Sequence, residues 1–122
     1  MKKLEYIRFL NGDIVYIHGS VRFISSCDGY YATYYDEDEF LQEVNVNVIE
    51  GIPLTTAILE KNGWEHKDDI YFKEFSHRKL VIMDENAYII NECCSMFLCP
   101  AKFVSQLQHL LFGLGINHEM EV

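Results

Sequence analysis

A chain of 122 residues with 49% apolar and 14% aromatic side chains can bury a core of its own, which excludes a disordered segment and removes any need for a stabilising metal or disulfide. Its formal charge of -9 would repel a phosphate backbone, which excludes ordinary nucleic-acid binding. No apolar run approaches the ~20 residues that cross a bilayer, so no membrane span is expected.

The opening MKKLEYIRFL has two lysines, but Glu5 and Arg8 interrupt its apolar residues, and it does not read as a secretory signal. Cys27, Cys93, Cys94 and Cys99 permit two disulfides in three pairings. Without a signal, the expectation is a cytoplasmic protein with free thiols.

Short strands dominate the first fifty residues. Ile14 and Tyr16 lead into a turn at Gly19-Ser20, and Val21 and Phe23 continue on the returning strand. Cys27-Asp28-Gly29 is a second turn signal, because Asp-Gly accepts positive φ. YYATYY follows as a strand of side chains that fit a pleated surface. The acidic Asp36-Glu37-Asp38-Glu39 reads as a loop or a protected edge. VNVNVI alternates, with Val44, Val46 and Val48 expected on one face. Four or five such strands joined by tight turns predict a small SH3-like β-barrel or sheet over residues 1–50.

IEGIPLTTAILEKNGW carries a complete helix instruction. Pro53 holds Ile52 extended and ends the strand. Thr55 is the expected N-cap, with Leu54 and Leu59 as a hydrophobic staple. Gly63 is the expected left-handed C′ residue, and Trp64 should fold back on the last turn. Glu65 to Asp69 read as a polar loop. IYFKEF, KLVIM, AYIIN and CSMFL read as four strands, with a hairpin turn at Asp84-Glu85-Asn86 and another at Asn91-Glu92.

The last helix is expected in PAKFVSQLQHLLFGLG. Phe103, Val104, Leu107, Leu110, Leu111 and Leu114 recur at helical spacing, while Lys102, Ser105, Gln106, Gln108 and His109 take the other face. Pro100 suits the first turn and Gly115 the C′ position. The whole is an α+β protein: an SH3-like β segment over 1–50, then an α+β segment over 51–122 with two helices, sharing one core as a single folding unit.

Asn11-Gly12-Asp13-Ile14-Val15, the segment from Pro53 to Trp64, Gln106-Leu107-Gln108 and Gly113-Leu114-Gly115 together resemble a family of small uncharacterised proteins of Bacteroides-group gut bacteria. Members of that family often lie in phage-like or mobile-element regions. The resemblance runs in order along most of the chain and is loose between residues 65 and 99. It implies the same architecture and a mobile-element context, and it brings no catalytic or binding residue with it.

Few constellations suggest chemistry. Cys93, Cys94 and Cys99, with Cys27, His18 or His77, form the best candidate metal group. Adjacent strand residues point to opposite faces, so buried thiols are the expectation instead. His118-Glu119 lacks the second histidine of a zinc-protease helix. Glu65, His66, Lys67, Asp68 and Asp69 are expected in a solvated loop. Glu74, His77 and Asp84 could meet only if a hairpin gathers them. Ser76, Ser95 and Ser105 have no nucleophile-elbow context, and no glycine-rich phosphate loop is present. No catalytic residue, cofactor or metal is expected.

Two features favour recognition of a protein. No Lys or Arg lies between Arg22 and Lys61, while that stretch holds eight acids. Tyr30, Tyr31, Tyr34 and Tyr35 stand beside Asp36, Glu37, Asp38 and Glu39. On a strand, Tyr31 and Tyr35 share one face and Tyr30 and Tyr34 the other, so one pair should lie outside the core. Exposed tyrosines give large contact area at small entropic cost. The expected function is a non-enzymatic interaction module with a protein partner, as a phage or mobile-element accessory. An acidic imitation of DNA that occupies a basic protein is the second reading, and an enzyme without a recognised motif the third.

Overall fold

A computed structural model of the chain describes residues 9–75, 78–92 and 94–122. Ser76, His77 and Cys93, and the opening Glu5 and Arg8, lie outside the described residues. The chain is α+β, with three antiparallel sheets and two α-helices among the described residues, and it divides into two compact units, residues 1–52 and 53–122. Among the described residues none of these sheets closes into a barrel.

The described residues of the first unit form short strands, turns and one 3-10 turn. β1 (Ile14–Ile17) lies between β2 (Ser20–Phe23) and β6 (Ile49–Gly51). A second sheet has the order β3 (Ser26–Cys27), β4 (Tyr31–Tyr35), β5 (Leu41–Asn45). His18 and Gly19, both at positive φ, make the two-residue turn between β1 and β2. Along β1 burial does not alternate, because Ile14, Val15 and Ile17 are all buried. That is the pattern of a central strand covered on both faces. Val15, Ile17, Ile24, Ala32, Tyr34 and Val46 form this unit's buried cluster.

The reading of VNVNVI as one strand is corrected. β5 stops at Asn45, and Val46–Val48 form a 3-10 turn before β6. The reason is local: Asn45 Oδ1 accepts the Asn47 N–H at 2.9 Å, an Asn contact that competes with the ladder. The three valines therefore part company, with Val46 buried and Val48 exposed.

In the second unit, α1 (Thr56–Lys61) forms as its sequence predicts. Thr55 Oγ1 accepts the Ile58 N–H at 3.2 Å. At the other end Gly63 has φ +86°, its N–H donates to the Glu60 carbonyl, and the Trp64 N–H donates to the Leu59 carbonyl. These are the paired bonds of a Schellman end. Trp64 and Leu59 are both buried in the unit's core.

A five-stranded meander follows: β7 (Glu65–Lys67), β8 (Ile70–Phe75), β9 (Arg78–Met83), β10 (Asn86–Ile90) and β11 (Ser95–Pro100), in the order β11-β10-β9-β8-β7. The polar loop expected at 65–69 is corrected. Glu65–Lys67 pair with β8, and only Asp68-Asp69 turn, with Asp68 at positive φ. Asp84 and Glu85 make the hairpin turn between β9 and β10. A bulge opposite Ala87 and Tyr88 allows both Leu98 and Cys99 to pack on the core.

α2 (Val104–Gly113) starts later than Pro100, which ends β11 instead. Its start is held by Gln106, whose Oε1 accepts the N–H groups of Lys102 (2.7 Å) and Phe103 (3.0 Å). Val104, Leu107 and Leu111 are buried, each contributing about 1.5–3 kcal/mol by removal from water. The polar-face expectation is corrected at two positions, because Ser105 and Gln108 are buried as well.

Candidate interaction surface

The β3-β4-β5 sheet sorts the tyrosines by strand parity. Ala32 and Tyr34 point inward and are buried. Tyr31 and Tyr35 point outward and are 48% and 59% exposed. Tyr34 therefore belongs to the core and leaves the expected surface. Tyr30 precedes the strand. Its exposed position comes from the turn at Asp28, whose Oδ1 accepts the N–H groups of Tyr30 and Tyr31, each at 2.8 Å. These two bonds, Tyr31's first, hold the Asp28 carboxyl below its ordinary pKa.

The register brings further residues to the outward face. Tyr31 lies opposite Asn45, Thr33 opposite Glu43 and Tyr35 opposite Leu41, while Ser26 on β3 lies opposite Thr33 with the two hydroxyls 2.6 Å apart. Leu41 is 56% exposed, and Phe40, in the turn, is 67% exposed. The sequence reading stopped at Glu39 and missed both. An apolar pair directly after an acidic turn, on a strand whose next core residue is Val44, was the available signal.

The four acids of the turn have different roles. Asp36 organises it: Oδ1 accepts from the Asp38 and Phe40 N–H groups at 2.9 and 3.0 Å, and Oδ2 accepts from Gln42 Nε2 at 2.8 Å. The Phe40 bond, followed by those from Gln42 and Asp38, lowers its pKa, and the Arg22 charge acts in the same direction. Glu37 pairs with Arg22 at 2.5 Å, which lowers the carboxyl pKa and raises that of the guanidinium. Arg22 also lies over the Tyr34 ring, 5.4 Å from its centroid. Asp38 and Glu39 face solvent at the tip.

Among the described residues the other singled-out groups do not converge. Glu74 pairs in register with Lys79, four positions along β8 from the end at which Asp84 turns. His66 stacks on Tyr71 at 4.7 Å, and His118 meets the Phe112 ring edge-on. Cys27, Cys94 and Cys99 carry free thiols. The Cys94 thiol is exposed, against the expectation of a buried one, while Cys99 is half-buried and burial pushes its thiol pKa up. Among the described residues no three His, Cys, Asp or Glu side chains gather to hold a metal ion. A cavity of about 80 Å3 beside Tyr71, Asp84 and Lys102 is far smaller than the few hundred Å3 of an organic-ligand pocket.

No protein-family model, curated protein or solved structure matches the chain. Among the described residues no helix is long and apolar enough to cross a membrane.

Proposed function

We propose that this chain is a non-enzymatic protein-interaction module whose contact surface is the outward face of the β3-β4-β5 sheet. One observation carries the reading. Tyr31, Tyr35 and Leu41 sit on one face of a small sheet, each about half or more exposed, with Phe40 and the acids Asp38 and Glu39 at its end. Aromatic side chains on a rigid strand give contact area at little entropic cost, and a rim of acids supplies orientation and on-rate.

The context of this proposal is a cytoplasmic accessory of a phage or other mobile element, from the resemblance to the Bacteroides-group small proteins. Its architecture is an SH3-like arrangement of residues 1–50, supported by the short strands from β1 to β6 joined by tight turns among the described residues.

A photoreactive amino acid placed at position 31 or 35 tests the function in the native host. A discrete cross-linked partner is expected, and its capture should fall at least about tenfold when Tyr31 and Tyr35 are both serine. Labelling that is diffuse, or unchanged in the double variant, would exclude this surface. Capture that instead depends on Asp38 and Glu39, is salt-sensitive and ignores the tyrosines would point to the imitation of DNA.

A further inference from the structure

The hydrogen-bond phase of the β4–β5 pair shows what the outer edge of β5 offers. The Asp36 N–H donates to the Phe40 carbonyl at 3.0 Å, and the Val46 N–H donates to the Tyr30 carbonyl at 2.9 Å. These bonds flank a register running from Tyr31 opposite Asn45 to Tyr35 opposite Leu41. Antiparallel pairs alternate between bonded and non-bonded, so Gln42 and Val44 bond to β4. Leu41, Glu43 and Asn45 then turn their backbone groups away from it, and of these the Asn45 carbonyl, at the N-cap of the 3-10 turn, is taken by the first bond of that turn. β5 ends the sheet order, and among the described residues no strand lies beyond it. It carries neither Pro nor Lys, two usual means of blunting an edge.

The same three residues carry their side chains on the tyrosine face. Backbone donors, backbone acceptors and exposed aromatic area therefore meet along one line, with Glu43 at its centre. The two-fold pairing that matches all of β5 with β5 of another copy sets Glu43 against Glu43, and like charges directly opposite are destabilising. The neighbouring Asp38 and Glu39 add to that repulsion, while Arg22 is occupied by Glu37. The charge of the edge thus favours a partner of the opposite sign.

We propose that β5 accepts an extended segment of a partner protein as an added strand, with a Lys or Arg opposite Glu43 and β-branched or aromatic residues two positions to either side. This rests on the reading of the tyrosine face as an interaction surface, and names the chemistry of its partner.

Selection of displayed, randomised linear segments against the full chain at low salt tests the proposal. The winning segments should share one basic position between β-branched or aromatic flanks. They should shift the backbone amides of Leu41, Glu43 and Asn45. Their affinity should fall at least about tenfold with Glu43→Lys, and less with Glu43→Gln, both chains melting as the parent does. Selection against the Glu43→Lys chain should return acidic segments instead. Winners without a basic position, winners indifferent to both Glu43 variants, or no winners at all would overturn the added-strand proposal. A host partner cross-linked at position 31 or 35 and held equally well by the Glu43→Lys chain would also overturn it, while leaving the tyrosine-face reading in place.

Discussion

Asn62 and Glu121 exchange a reciprocal pair of hydrogen bonds across 59 residues of sequence: Asn62 Nδ2 donates to the Glu121 carbonyl at 2.7 Å, and the Glu121 N–H donates to Asn62 Oδ1 at 2.9 Å. Asn62 Nδ2 also donates to the Ile58 carbonyl at 2.8 Å, so one amide ties residue 121 to the end of α1. Asn62→Ala should cost about 1–2 kcal/mol and speed hydrogen exchange at the Glu121 amide, with the amides of β9 unaffected. Asn62→Asp keeps the acceptor but sets a carboxylate oxygen against the Ile58 and Glu121 carbonyls at the C-terminal end of α1, and should cost at least as much as Asn62→Ala. Exchange at Glu121 that does not change in Asn62→Ala would show that the tail is held by other contacts.

The parity of β4 separates stability from recognition. Tyr34 is 8% exposed and Tyr31 and Tyr35 are about half exposed. Tyr34→Ser should destabilise by about 2–4 kcal/mol, through lost burial and the loss of the ring beneath Arg22. Tyr31→Ser and Tyr35→Ser should each stay within about 0.5 kcal/mol of the parent. Urea melts decide this, and equal losses at all three positions would contradict the assigned faces.

Asp36 predicts a pH response of definite sign. Its folded pKa is depressed by the Phe40 N–H, the Gln42 amide and the Asp38 N–H. A depressed carboxylate adds stability that is fully present above its unfolded pKa of about 3.9 and is lost as pH falls through the lower folded value. The amide shifts of Asp38 and Phe40 should therefore stay flat from about pH 8 to 5 and move only below about pH 4. Asp36→Asn cannot titrate and should lose that acid-side movement. The same movement in the variant would assign the transition to another group.

Gly63 sits at φ +86°, where a Cβ would also lie 3.2 Å from Lys73 Nζ. That nitrogen ends a flexible side chain and can move, although it now donates to the Asn62 carbonyl. The backbone term then dominates, and Gly63→Ala should cost about 1–2 kcal/mol. Gly63→Asn should cost less, because Asn enters the left-handed region more readily. Denaturant melts that rank Asn at or below Ala would mean that the clash, and not the dihedral, decides.

How much of this was legible depends on how local the cause is. The cap at Thr55, the turn at Asp84-Glu85 and the Gly63-Trp64 end are set by bonds within six residues, and each could be read from adjacent side chains. Glu65–Lys67 carry no strand periodicity, and only the backbone of β8 makes them a strand. Val44, Val46 and Val48 alternate well, yet one Asn45 side chain breaks their strand. Ser105 and Gln108 look like a solvated face and are buried. In the candidate surface, the tyrosines and acids were visible from the start. The inward turn of Tyr34, the use of Asp36 within its own turn and the exposure of Phe40 and Leu41 were not.

The sequence by itself determined the mixed class, most of the turns and both helix stops, because steric limits on φ and short-range hydrogen bonds act between neighbours in the chain. Only the tertiary structure decided which tyrosine goes inward, which acid is already bonded and which strand ends a sheet. Those outcomes depend on what other elements cover, and coverage is a property of the packed molecule.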